Sequence, residues 1–170
     1  MNVGLPQILV ILVAVQRLIE LWVARRNTQR LLARGGQEVG RRHYPVIIAL
    51  HSAWLLSVFL LGDPDGGVLW LALGAFLVLQ TIRVWVVLSL GEYWTTRIIT
   101  LPGEPLVKRG PYRFLRHPNY AVVVGEIALL PIAFGLWKTA LIFSLLNGAL
   151  LWVRIRAEES AISPRRDIRT

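Results

Sequence analysis

Charged and amide side chains interrupt stretches of this chain that are otherwise apolar. Gln16, Arg17 and Glu20 fall in the run 5–23, His51 in 44–61, Gln80 and Arg83 in 68–90, Glu126 in 120–137 and Asn147 in 139–153. Ionisable groups in an apolar medium are costly, and they persist where they pair with one another or face a cavity that binds or transforms something. One reading pairs Arg17 with Glu20 and Arg83 with Glu126, so that charge holds a bundle together. A second reading comes from depth. At about 1.5 Å of rise per residue, Gln16, Arg17, His51, Gln80, Arg83, Glu126 and Asn147 lie roughly 9 to 15 Å from the same end of their runs. Five segments thus contribute to one polar layer, which favours a cavity with Arg83, His51 and Glu126 in its wall.

The elements that must position these groups follow from composition. Of 170 residues, 55% are hydrophobic and 17% charged, with a mean hydropathy of +0.54. That balance suits lipid rather than water. The absence of cysteine excludes disulfides, thiolate metal sites and a cysteine nucleophile, and no metal site is implied. The expected fold is an all-α integral membrane protein of about five transmembrane helices, with a cytoplasmic loop and a C-terminal helical hairpin turning at 134–137. The last run is short. Residues 1–90 carry the first three helices and 91–170 form the second unit. The first run has no basic segment before it and no small-residue cleavage site, which argues against a cleaved signal peptide.

The formal charge is +9. Arg25, Arg26, Arg30, Arg34, Arg41 and Arg42 lie between runs one and two. Arg97, Lys108, Arg109, Arg113 and Arg116 lie between three and four, and Arg154, Arg156, Arg165, Arg166 and Arg169 follow the fifth. The opposite connections, 62–67 and 134–138, hold only Lys138. By the positive-inside rule the N-terminus is external and the C-terminus cytoplasmic. Topology and anionic headgroups account for the charge without a nucleic-acid partner. The outer half of the bundle reads plain, as in Val68-Leu69-Trp70-Leu71-Ala72-Leu73. A cavity polar toward the cytoplasm and apolar beyond suits an amphiphile whose head reacts near that face. Trp70 and Trp137 at the external ends, and Trp22, Trp94 and Trp152 at the cytoplasmic ends, read as interfacial anchors.

The connection 91–119 is too long for a mere link. Residues 98–107 read as two short extended pieces around the Pro102-Gly103 turn. Pro118 suits the first turn of helix four, where its missing N–H costs nothing, and the free N–H groups of that turn attract an anion.

Gly110-Pro111-Tyr112, then Arg116-His117-Pro118-Asn119-Tyr120, and after the hairpin Arg154-Ile155-Arg156-Ala157-Glu158-Glu159, resemble the signature of the isoprenylcysteine carboxyl methyltransferases and related membrane phospholipid methyltransferases. The resemblance covers about 104–159. His43-Tyr44-Pro45 and Leu50-His51 are similar to a small bacterial branch that O-methylates alkylpyrones. The resemblance implies S-adenosylmethionine as methyl donor and a lipid or lipidated acceptor arriving from the bilayer, in a multi-pass protein of the bacterial plasma membrane. No protein partner is inferred. Carried over, Glu104, Pro105, Leu106 and Val107 match a cofactor-lining segment, and Tyr112, His117, Pro118, Asn119 and Tyr120 its pocket wall. Glu158 matches the acidic cofactor contact, and Arg154 the catalytic arginine that meets the acceptor's anionic head. Their i, i+4 spacing sets Arg154 and Glu158 on one helix face. An acceptor oxygen beside a sulfonium needs orientation more than a base.

Three departures accompany the likeness. Val122 stands where the family has glycine, with Gly125 only later; Glu104 is an acid where many relatives have another polar residue; and Ser160 to Thr170 is a short C-terminal segment. Asn119-Tyr120 with Gly125-Glu126 also resembles, at a longer spacing, the NADPH-dependent membrane reductases of the steroid 5α-reductase type. A non-enzymatic lipid-binding protein is the third reading.

Overall fold

The computed structural model describes residues 3–41 and 44–162, Ile162 by its backbone alone. Arg42, His43, Arg165, Arg166 and Arg169 lie outside the described residues. Five helices follow in chain order: α1 (Leu5–Ala33), α2 (Tyr44–Leu61), α3 (Trp70–Leu90), α4 (Pro118–Ala133) and α5 (Trp137–Ile162). Four are long and apolar enough to cross a membrane, and α4 is a shorter apolar helix. The chain is an all-α multi-pass membrane protein. Its outward side chains fit that solvent, since Leu18, Leu71, Leu88 and Leu145 are all exposed.

The helices alternate in direction. At one end, the Gln7 amide of α1 donates to the carbonyls of Phe59 and Gly62 at the close of α2. There too, Leu69 N–H before α3 donates to Ala133 O at the close of α4. Around these ties the bundle is packed solid by Val10, Trp54, Val58, Phe76, Ile127 and Leu130. Pro131 stands in the last turn of α4, and the turn 134–136 passes Gly135 at φ 73° before α5 begins.

The other end is built differently, and three expectations are corrected there. The first helix does not stop near Val23, and the last is not short. Past Val23, α1 continues for about 15 Å, and α5 carries Arg154 to Ile162 about 13 Å beyond its apolar run. Polar residues with good helical propensity extend a helix once an apolar run has nucleated it. The first of the two extended pieces finds its strand partner outside the loop. Ile98–Thr100 (β2) pairs antiparallel with Gln37–Val39 (β1), Glu38 opposite Ile99. Arg97 fixes this ribbon, donating at 3.2 Å to both Glu38 oxygens and lying over the Tyr44 ring. Finally, Trp94 is no interfacial anchor. It is 3% exposed and packs with Ala24, Val86 and Val122 in a second core. Asn27 of α1 holds its backbone, donating to the Gly91 and Trp94 carbonyls at 3.0 and 2.9 Å. Trp22, Trp70, Trp137 and Trp152 are exposed as anchors should be.

Candidate functional site

The polar layer is a single cluster. Arg83 donates from Nε and Nη2 to the two Glu20 oxygens at 2.7 and 2.5 Å, and from Nη1 to Glu126 at 3.3 Å. Arg17 donates to both Glu20 oxygens and, at 2.8 Å, to Glu126. Gln16 and Gln80 complete the shell by donating to Glu20 and Glu126. Each arginine therefore serves both glutamates, where simple pairing would join Arg17 to Glu20 and Arg83 to Glu126. Two cations against two anions leave the cluster neutral, as burial requires. Glu126, 2% exposed, sits behind the cavity wall as a counterion rather than in it.

Above this cluster lie two cavities of about 360 and 300 Å³, both within the range of small-ligand sites. The larger is enclosed by the extension of α1, the 93–108 stretch, the start of α4 and the extension of α5. The smaller lies between the helices, lined by apolar Leu18, Ile47, Ile48, Leu55 and Leu151 and by polar Arg17, Glu20, Arg83, His51 and Asn147. Trp94, Thr95, Asn119, Tyr120 and Arg154 line both, so they form a common wall.

A chain of three groups runs along that wall. Arg154 Nε donates to the Tyr120 hydroxyl at 2.8 Å, and Arg154 Nη2 to the Thr96 carbonyl at 2.7 Å. The Tyr120 hydroxyl in turn donates to Glu158 Oε2. One helical turn separates Arg154 from Glu158 on α5, so both reach a single hydroxyl on α4. The Tyr120 ring stacks on His117 at 5.3 Å, and His117 Nε2 lies 3.3 Å from Glu159. Asn119 Oδ1 and Trp94 Nε1 are buried with no partner among the described residues. Buried polar atoms are almost always satisfied in native proteins, so such orphans in a cavity wall point to a missing ligand.

Local sequence explains how the loop delivers these groups. Gly110 adopts φ 57°, and a side chain there would collide with the Ser89 hydroxyl. The Gly-Pro-Tyr turn can therefore press against the end of α3, where Arg109 Nε donates to Ser89 O at 2.6 Å. That contact brings Tyr112 into the larger cavity. Burial and the nearby Glu158 carboxylate push its phenol well above the ordinary range, so Tyr112 stays neutral.

Of the residues singled out from sequence, Leu106, Val107, Tyr112, His117, Asn119, Tyr120, Arg154 and Glu158 line the larger cavity, while Glu104, Pro105 and Pro118 do not. Glu104 instead receives Arg34 Nη2 at 2.5 Å and the Tyr93 hydroxyl at 2.6 Å, strapping the loop to the end of α1. His51 and Arg83 line the smaller cavity, although all three Arg83 nitrogens are engaged. Val122 is packed into the second core, so helix packing occupies the place of the family glycine. The sequence reading missed Tyr93, Thr95 and Thr96; polar residues beside a tryptophan, just after a helix-ending glycine, were the available signal.

Comparison with known proteins bears on the same segment. The family model described as "Isoprenylcysteine carboxyl methyltransferase (ICMT) family" matches residues 70–164, from the start of α3 through α5. Protein YpbQ of Bacillus subtilis, described as uncharacterized, is 43% identical over 159 residues, spanning 91% of this chain and 95% of its own. An uncharacterized protein of Haemophilus influenzae is 25% identical over 152 residues, 86% of this chain and 88% of its own. No solved structure matches. The chain thus belongs to the isoprenylcysteine carboxyl methyltransferase family, and it is a multi-pass membrane methyltransferase.

Proposed function

We propose that the protein transfers a methyl group from S-adenosylmethionine to an acidic oxygen, carboxylate or enolic hydroxyl, of a membrane-embedded amphiphile such as an alkylpyrone or a prenylated cysteine. The observation that carries this reading is the common wall. Two chambers of ligand size meet at Asn119, Tyr120 and Arg154, an arrangement suited to a group passed between two bound molecules.

The larger chamber fits the cofactor. Leu101, Leu106 and Val107 offer an apolar face for the adenine ring. Glu158, whose Oε1 carries no partner among the described residues, offers a carboxylate for the ammonium or ribose. The orphaned Asn119 Oδ1 offers a further acceptor. When bound, that cofactor supplies a methyl group on a positively charged sulfur. The chain's own residues orient and exclude water: Tyr120 locks Arg154 and Glu158 in register, and Arg154 presents its guanidinium to the acceptor side of the wall. Fixing two reactants at this distance removes most of the entropic barrier of a two-body reaction.

The smaller chamber takes the acceptor head. Its floor is formed by Arg17, Glu20 and Arg83, and beyond that floor the bundle is filled by Trp54, Phe76 and Leu130. A tail has no room to run on through the outer half of the bundle and must leave sideways, between helices, into lipid. On this reading the basic end faces the cytoplasm of a bacterial plasma membrane.

The test is made on detergent-purified protein. S-adenosylhomocysteine raises Tm and NADPH does not, and labelled methyl from S-adenosylmethionine appears in an added long-chain alkylpyrone. A Tm rise with NADPH alone reassigns the chain to reductase chemistry.

A further inference from the structure

The acceptor chamber displays three arginines, and a carboxylate answers each. Arg17 and Arg83 share Glu20 and Glu126, and Arg154 is joined to Glu158 through the Tyr120 hydroxyl. Much of the remaining wall is apolar. An anionic head moving from water into this chamber meets no unmatched cation, which is the costly direction of charge burial. The same head enters cheaply when protonated. Its oxygen must then shed a proton as it gains the methyl group, so the wall has to supply a lone pair.

His51 supplies one. Its Nδ1 lies 2.8 Å from the Ile47 carbonyl one turn earlier in α2. A carbonyl only accepts, so Nδ1 carries the hydrogen and the neutral ring presents Nε2 as an acceptor. The ring stands edge-on to Trp54 at 6.5 Å and 82°, its Nε2 has no partner among the described residues, and it lines the chamber. The charged groups sharing its chamber are Arg17 and Glu20 from α1, Arg83 from α3 and Arg154 from α5, with the Glu126 charge of α4 felt from behind the wall. The arginines cannot take a proton. Glu126 is outside the wall, and the wall's own carboxylate, Glu20, is held at both oxygens by two guanidinium groups.

Resting on the methyl-transfer reading, we propose that His51 accepts, at Nε2, the proton of a neutral acceptor head as its oxygen is methylated. The oxygen lone pair forms the new O–C bond, the C–S bond of the sulfonium donor breaks with its electron pair left on sulfur, and the O–H proton passes to Nε2 and then to water.

The experiment compares the whole protein with His51→Gln, which keeps an oxygen acceptor at the position but cannot take a proton. With a long-chain alkylpyrone, wild-type kcat/KM rises with pH as His51 becomes neutral and then levels. His51→Gln loses that acid limb and about 10²- to 10⁴-fold in kcat, with KM for the alkylpyrone little changed. A retained Tm rise with S-adenosylhomocysteine shows that the variant is folded. A second readout needs no turnover. In ¹⁵N-histidine protein, which has three histidines, the Nε2 resonance that His51→Gln deletes moves when alkylpyrone is added without a methyl donor. An unchanged rate in folded His51→Gln, or an unmoved Nε2 resonance, overturns the role of His51 and leaves methyl transfer standing. Wild-type protein that transfers no methyl from S-adenosylmethionine takes down both.

Discussion

Arg17 of α1 reaches Glu126 of α4 at 2.8 Å, across 109 positions of sequence. This contact joins the first helix to the family core, and through Arg83 and Glu20 it ties three helices at one depth. Removing one member strands a buried charge. Glu126→Ala is expected to cost about 3–5 kcal/mol of stability, read as a lower Tm in detergent. Replacing Arg17 and Glu126 together by Met and Leu restores much of it, because Arg83 and Glu20 still pair bidentately. A double variant no better than the single denies the ion cluster its structural role.

Glu158→Gln keeps the size of the side chain and removes its charge. Calorimetric affinity for S-adenosylhomocysteine should weaken by roughly 1–3 kcal/mol, the range for a charged hydrogen bond lost from a buried site. Unchanged affinity would remove Glu158 from the cofactor chamber.

Arg154→Ala is expected to separate the two chambers. Because Arg154 also lines the acceptor chamber while Glu158 lines the cofactor chamber alone, kcat/KM for the lipid should fall at least tenfold while S-adenosylhomocysteine affinity holds within a few-fold. Tyr120→Phe, which breaks the hydroxyl shared by both residues, should instead disturb cofactor affinity and turnover together. Parallel losses in both parameters for Arg154→Ala would place it with the cofactor.

Tail length reports how the acceptor arrives. With the outer half of the bundle filled, a tail leaving sideways gains lipid contact, so shortening it should raise KM by up to about 0.8 kcal/mol per methylene. Equal KM for a water-soluble head group alone counts against lateral access from the bilayer.

Orientation can be read chemically in this cysteine-free chain. Asp65→Cys and Arg30→Cys should label from opposite sides of the membrane, Asp65→Cys from outside. Labelling of both from one side reverses the assignment of the basic end.

Much of this was legible in the residues alone. Apolar runs of spanning length mark helices because lipid demands internally satisfied backbone, and α2 occupies the run read for it, Tyr44–Leu61. The common depth of Arg17, Arg83 and Glu126 follows from rise per residue, and the Arg-His-Pro-Asn-Tyr and Arg-x-Arg-x-Glu-Glu motifs pointed to the family. Tertiary structure decided the partners. Which glutamate meets which arginine depends on how three helices are rotated about their axes, a relation between distant positions that local periodicity does not carry. The three-residue strands β1 and β2 are too short to show an alternating pattern, so their pairing emerges only from the docked ribbon. Trp94 has the composition of an interfacial anchor, yet the turn after α3 and its two bonds from Asn27 carry it inward. Only that folding-back makes it part of the wall between the two chambers.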